Sequence, residues 1–101
     1  MKHNPPANPF PDEVRALYSF EHTCWACGSN QGIELDHILG RISASPYNAF
    51  VICRKCHMKK GTKEFRIWQL DFAAQFLEYE SYNPKDNDFI FLKQADEYRK
   101  P

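Results

Sequence analysis

Two Cys-x-x-Cys pairs constrain the fold of this chain more than any other feature. Cys24 and Cys27 form the first pair, Cys53 and Cys56 form the second, and the chain has no other cysteine. Two residues between cysteines allow both thiolates to face one tetrahedral zinc ion, and two such pairs complete a four-sulfur site. Two disulfides or four unrelated thiols are the alternative interpretation. We favour zinc, because intracellular thiols stay reduced.

A zinc ion bound by four cysteines has no free coordination position, so the sequence predicts a structural role for it and places any chemistry elsewhere. A metal would also stabilise a chain of 101 residues, because a chain of this size buries only about 60–70% of the surface that its unfolded form exposes. We expect residues 1–101 to form a single domain.

The composition is typical of a globular protein, with 43% hydrophobic and 26% charged residues. No apolar run approaches the roughly 20 residues that a membrane-spanning helix needs. The stretch from Met1 to Pro11 is polar and rich in proline, unlike a signal peptide. These features predict a cytoplasmic protein without a membrane partner.

The formal net charge is zero, but it is unevenly distributed along the chain. Seven basic and two acidic residues lie between Asp36 and Arg66, a net charge of +5, whereas the residues before this segment carry −2 and those after it −3. A basic middle third with acidic flanks is typical of a local phosphate-binding surface. A solvated face of mixed charge is the alternative.

The pattern around the second cysteine pair predicts a hairpin followed by a helix. Apolar and polar residues alternate from Ile33 to Ile38, and Ala49 to Ile52 reads as a second strand after a turn-rich loop. Strict alternation would place His37 on the face of the apolar residues, so this strand should end or bend near Asp36. A short helix from Arg54 to about Lys60, closed by Gly61, should follow.

Other helices are predicted on both sides of this segment. Asp12 should begin a short helix that ends near His22, and Thr62 should cap a long helix that ends near Tyr82. An aromatic stripe at helical spacing predicts the buried face of the long helix. The stripe consists of Phe65, Trp68, Phe72, Phe76 and Tyr79. Asp88 could cap a last helix, although the apolar residues from Phe89 to Leu92 could instead form a strand.

Taken together, these motifs resemble the HNH endonuclease family in the form that carries a four-cysteine zinc. The resemblance covers about residues 22–63 and rests on the order and spacing of its motifs. These are Cys24-x-x-Cys27, Asp36-His37-Ile38, Asn48 and Cys53-x-x-Cys56-His57. It implies an α+β fold in which a beta-beta-alpha metal core, also called a His-Me finger, carries zinc knuckles. The N-terminal lead-in and the aromatic helices of residues 62–101 would flank this core.

The resemblance also implies a role for each matching residue. His37 would be the general base, and an imidazole suits this role because it is mostly neutral at cellular pH. Asp36 and His57 would ligate one catalytic ion. Because the protein supplies only two ligands, the ion should keep several waters, which favours Mg²⁺ or Mn²⁺. Asn48 would fix the loop and thereby orient His37.

Each of these residues also has a simpler interpretation. His37 could be an ordinary surface or core histidine, Asp36 a strand-end acid and Asn48 a turn residue. His57 could be exposed or could compete for the zinc. His22 and His3 match no family role and are expected at the surface.

The resemblance implies that DNA is the substrate and that cleavage leaves 5′-phosphate and 3′-hydroxyl ends. Basic residues of the middle segment are candidates for contacts to backbone phosphates. They are Arg41, Arg54, Lys55, Lys59, Lys60 and Lys63. The C-terminal helices could also bind a protein partner or form a homodimer.

A second hypothesis is a zinc-knuckle module that binds DNA or a protein and cuts nothing. The cysteines and lysines would look the same in such a module. We favour the enzyme because a mere binding module has no reason to keep Asp36, His37, Asn48 and His57 in this arrangement.

Overall fold

The computed structural model describes residues 9–60 and 63–101, and of residues 63 and 64 it describes the backbone alone. Within this part of the chain, two antiparallel strands and four helices form a small α+β fold. This confirms the predicted α+β class. In chain order the elements are α1 (Asp12–Leu17), β1 (Ile33–His37), β2 (Ala49–Cys53), α2 (Arg54–Lys59), α3 (Lys63–Tyr79) and α4 (Asp86–Arg99), with a 3-10 turn at Pro46–Asn48.

The hairpin formed by β1 and β2 lies at the centre of the fold. Ile33 pairs with Cys53 at one end, and His37 pairs with Ala49 at the other. Every residue of β2 is buried, because alternate side chains enter two different apolar clusters. Phe50 on one face is fully buried, which contributes about 2–3 kcal/mol to folding. A strand covered on both faces explains the continuous apolar run of β2.

The first of the two clusters lies between the hairpin, α3 and α4, and it includes Phe50, Ile52, Leu70 and Phe91. The second lies on the other face of β2 and joins it to α1 and to the C-terminal half of α3. Its buried members are Phe10, Val14, Tyr18, Ala49, Val51 and Leu77. Together the clusters attach the hairpin to helices from both ends of the chain.

The aromatic stripe of α3 is only partly in the core. The rings of Phe72 and Phe76 contact Trp25, with centroids 4.9 and 5.0 Å apart. Tyr79, however, is 86% exposed, so its predicted burial is wrong. The most buried positions of the helix include Ala73 and Leu77, each one residue beyond a stripe position. Because the side chain of Ala73 is small, neighbouring parts of the fold can pack close to α3 at this position. The buried face of α3 therefore lies nearer to Ala73 and Leu77 than to the predicted aromatic stripe.

Asp88 anchors α4 to the rest of the fold. Its buried carboxylate accepts hydrogen bonds from Ser45 Oγ at 2.6 Å, Tyr82 OH at 2.6 Å and the backbone N–H of Lys85 at 2.9 Å. Lys85 is the residue before the helix, so Asp88 lies inside the first turn rather than at the predicted cap position. The alternative strand from Phe89 to Leu92 is wrong, because these residues continue α4.

The end of α1 differs from the sequence expectation, and one other predicted helix boundary lies outside the described residues. α1 ends at Leu17 rather than near His22, and the next residue, Tyr18, is buried with its hydroxyl donating to the carbonyl of Pro46 at 2.7 Å. Gly61 and Thr62, the predicted helix end and cap, lie outside the described residues. Among the helices of the described chain, none has the length and apolarity needed to cross a membrane.

Candidate functional site

The four cysteines meet in one cluster. Their sulfur atoms all lie within 4.8 Å of one another, and Cys27 Sγ is 3.6 Å from Cys53 Sγ. All four thiols are free. Because four sulfurs at about 2.3 Å from one tetrahedral zinc ion are about 3.8 Å apart, the cluster could hold a structural metal such as zinc.

Backbone hydrogen bonds shape both halves of the cluster. In the first, the N–H of Ala26 points at Cys24 Sγ at 3.4 Å, and the turn closes at Gly28, whose φ of 80° favours glycine. In the second, Cys53 ends β2 and caps α2, and its sulfur accepts the N–H of Cys56 at 3.4 Å. N–H groups that point at sulfur favour the thiolate, which is the form that binds metal.

The environment drives the pKa values of these thiols apart. Burial would raise the pKa of Cys24, but backbone N–H groups aimed at its sulfur outweigh burial and lower the pKa to about 6. Burial, hydrogen bonds to the other sulfurs and the charge of Cys24 raise the pKa of Cys56 to about 12. Four thiolates at this spacing repel one another, so a divalent cation would stabilise them together.

A second polar cluster lies where β1 meets α2. Asp36 is buried on β1, and its Oδ1 atom is 3.2 Å from Nε2 of His57 on α2. Two neighbouring ligands of an octahedral ion, each about 2.1 Å from it, are about 3 Å apart. The carboxylate and imidazole therefore have the spacing of two ligands of one divalent ion. Because successive residues of a helix point about 100° apart, α2 contributes Cys56 to the sulfur cluster and His57 to this one.

Glu34 extends this polar cluster. Its Oε1 atom is 2.6 Å from His57 Nδ1, and because an ionised carboxylate only accepts, Nδ1 must carry the hydrogen. A neutral His57 then presents the lone pair of Nε2 to Asp36 Oδ1. A carboxylate on the remote nitrogen is the usual partner of a histidine that binds metal.

Lys60 lies inside the same cluster rather than on the surface. Its side chain is 8% exposed, and its ammonium donates to Asp36 Oδ2, to the carbonyl of His37 at 2.7 Å and to that of Ile38 at 3.4 Å. A lysine that binds a backbone phosphate must present its ammonium to solvent. The structure therefore corrects the predicted surface position of Lys60.

His37 is the last residue of β1 and pairs with Ala49, so the strand ends near Asp36 as expected, but His37 stays within the alternation, on the face of Ile33 and Leu35. The imidazole is half-buried and stacks on the ring of Phe10, with centroids 3.8 Å apart and planes 8° from parallel. Phe10 is itself buried, and Arg15 Nε donates to its carbonyl at 3.1 Å. The chain before α1 thus restricts rotation of the His37 ring.

Asn48 fixes the loop that follows β1. The side chain is fully buried, and its Oδ1 accepts the N–H of Leu39 at 2.9 Å while Nδ2 donates to the carbonyls of Gly40 and Ser43, both at 2.9 Å. The backbone carbonyl of Asn48 also accepts the N–H of Ile38 at 2.8 Å. One side chain therefore holds both ends of the loop next to His37.

The remaining basic candidates lie along α2 and the loop. Arg54, Lys55 and Lys59 are exposed on α2, where Arg54 Nε is 3.8 Å from Glu34 Oε2. Arg41 is exposed on the loop after β1. The side chain of Lys63 lies outside the described residues.

Sequence reasoning missed Glu34 and Phe10, and it misplaced Lys60. One signal was available for Glu34, because residues two apart on a strand share a face and Glu34 therefore lies beside Asp36. The contacts of Phe10 and Lys60 join residues 22 to 27 positions apart, and no local pattern indicates them. His22 is exposed, as expected, and His3 lies outside the described residues.

No protein-family model, curated protein or solved structure matches this chain.

Proposed function

We propose that this protein is a metal-dependent DNA endonuclease of the HNH type, with His37 as general base and Asp36 and His57 as ligands of one divalent ion. The observation that supports this most is the pairing of Asp36 and His57. Because His57 Nδ1 donates its hydrogen bond to Glu34 Oε1, a neutral His57 directs the lone pair of Nε2 at a carboxylate oxygen of Asp36 3.2 Å away. Two lone pairs at this distance need a cation or a proton between them.

The surroundings of this pair are consistent with the HNH interpretation. The hairpin and α2 would be the beta-beta-alpha core, and the four-cysteine cluster would hold a structural zinc ion at its base. Asp36 and His57 offer one oxygen and one nitrogen, a donor set that Mg²⁺ or Mn²⁺ accepts together with several waters. When bound, such an ion stabilises negative charge on the phosphate and on the departing 3′ oxygen.

The chain's own groups supply the rest of the reaction. His37 takes the proton of the attacking water, a role that needs a neutral imidazole in a fixed orientation. Stacking on Phe10 restricts the imidazole ring, and Asn48 holds the loop that follows it. Each of these contacts lowers the entropy lost when water, base and phosphate align.

The exposed bases of α2 would position DNA by its phosphates. Arg54, Lys55 and Lys59 lie on the same short helix as His57, so a backbone held by them passes close to the proposed ion. Contacts of this kind orient a duplex without reading its sequence.

The proposal is tested by incubating the zinc-loaded protein with supercoiled plasmid, with and without Mg²⁺ or Mn²⁺. We expect metal-dependent nicks with 5′-phosphate ends, detected by ligation of the nicked product. Asp36→Ala and His57→Ala should require more metal for the same rate, because each removes a ligand. His22→Ala serves as a matched control, since His22 is exposed and outside the site.

Absence of cleavage by the folded wild type with either ion would contradict the proposal. DNA binding without cleavage would instead favour the zinc-knuckle module. Cleavage that is equal in Asp36→Ala, His57→Ala and the wild type at limiting metal would reject these two residues as ligands.

A further inference from the structure

Lys60 makes three contacts that the proposed chemistry does not explain. Its ammonium donates to the carboxylate of Asp36 and to the carbonyls of His37 and Ile38. These acceptors belong to three consecutive residues, the last two of β1 and the one that follows it. They include the proposed metal ligand and the backbone of the proposed base.

Burial of a lysine ammonium is unfavourable unless it is paired and hydrogen-bonded. The side chain of Lys60 is only 8% exposed. An ammonium has three hydrogens, and Lys60 has an acceptor for each of them. Its position is therefore fixed, and so are the groups to which it donates.

The contacts also divide the two oxygens of Asp36 between different partners. Oδ2 is occupied by the Lys60 ammonium, whereas Oδ1 faces His57 Nε2 at 3.2 Å. A carboxylate with both oxygens free can chelate a metal ion through both. Here only Oδ1 remains for a shared ion.

We propose that Lys60 is a positioning residue for the metal site, which limits Asp36 to one ligand oxygen and fixes the end of β1 that carries His37. This inference rests on the proposed function. A positive charge on the second oxygen of a ligand repels a divalent ion, so Lys60 weakens ion binding while it holds ligand and base in a productive arrangement. Loss of Lys60 should therefore tighten metal binding and slow the reaction. General damage to the fold would instead weaken metal binding as well as slow the reaction.

The test compares Lys60→Met with the wild type in the zinc-loaded protein, because methionine keeps much of the apolar stem and removes the charge. Binding of Mn²⁺ is measured without DNA by electron paramagnetic resonance, and turnover at saturating Mn²⁺ is measured on plasmid. We expect Mn²⁺ to bind about tenfold more tightly, a direction set by charge repulsion. We expect turnover to fall at least about tenfold, because misplacement of reacting groups is costly.

Lys93→Met is the matched control, because Lys93 is an exposed lysine on α4 outside the site, and both quantities should stay at wild-type values. Zinc content and circular dichroism verify the fold of each variant. If Lys60→Met does not retain zinc, Lys60→Gln replaces it, since its amide can still donate to the carbonyls, and the same tightening of Mn²⁺ is expected.

Unchanged or weaker Mn²⁺ binding in the folded Lys60 variant would overturn the proposal, and so would tighter binding with unchanged turnover. Failure of the proposed function gives a different result, in which the wild type binds Mn²⁺ but cuts no DNA. The change in Mn²⁺ affinity alone then decides whether Lys60 positions the ion. A wild type that binds no Mn²⁺ would overturn both proposals.

Discussion

Asn48→Ala should destabilise the protein far more than a typical asparagine substitution. The side chain is fully buried and makes three hydrogen bonds of 2.9 Å to the loop. Alanine would leave one N–H and two carbonyls without their partner, and each unpaired buried group costs about 1–3 kcal/mol. Gly40 is exposed, so water can reach part of the loop and the sum should be near the low end. We therefore expect a loss of about 3–4 kcal/mol.

The assay is urea unfolding at fixed free zinc, followed by tryptophan fluorescence. With a denaturant dependence of about 1.5 kcal/mol per molar urea, the midpoint should fall by about 2–3 M. Asn87→Ala is the matched control, because Asn87 is exposed on α4, and its effect should stay within about 0.5 kcal/mol. A loss below about 1 kcal/mol for Asn48→Ala would refute the argument that this side chain holds the loop.

Three further predictions concern the metal, the DNA surface and pH. Cys56→Ser should abolish stoichiometric zinc binding and largely unfold the chain, because metal binding supplies the free energy of folding in such small domains. A folded variant in which elemental analysis finds zinc would contradict this. Alanine in place of the exposed basic residues of α2, Arg54, Lys55 and Lys59, should weaken binding to duplex DNA. It should also reduce the slope of log affinity against log salt concentration by about 0.9 for each phosphate that the protein no longer neutralises. An unchanged slope would show that DNA binds to another surface. Burial first, and then nearby tyrosines and acids, raise the pKa of Tyr18 above its usual value of 10, so the stability it provides is present below pH 10 and is lost as pH rises above that. Tyr18→Phe should remove this part of the alkaline loss, and parallel stability curves for the two proteins above pH 10 would argue against it.

Local sequence spacing was sufficient to predict the sulfur cluster and the hairpin. Two residues between cysteines restrict the distance between thiols directly, and alternation from Ile33 onwards specified which residues of β1 share a face. Both signals are local, so they depend little on how the helices pack. The predicted strand end near Asp36 agrees with the end of β1 at His37, but His37 still follows the alternation and packs on Phe10, on the face of Ile33 and Leu35.

The features that could not be predicted depend on packing between distant segments. A lysine among basic residues usually faces solvent, but Lys60, which directly follows α2, turns toward the end of β1, where its ammonium has three acceptors. The stacking of Phe10 on His37 likewise requires the segment before α1 to cross the strand end. In α4, the apolar start fitted a strand as well as a helix, and the contacts of Asp88 were needed to distinguish them.

Plasmid cleavage by His37→Ala measures whether His37 is the general base. A positioned general base contributes about 10²–10⁴-fold to the rate, so we expect a loss of this size at saturating Mn²⁺, with zinc content, fold and DNA binding unchanged. Added metal should not restore the rate, because alanine removes the proposed base and leaves the proposed ligands Asp36 and His57 in place. Cleavage by His37→Ala within about threefold of the wild type, at equal protein and metal concentrations, would contradict the assignment of His37 as the base.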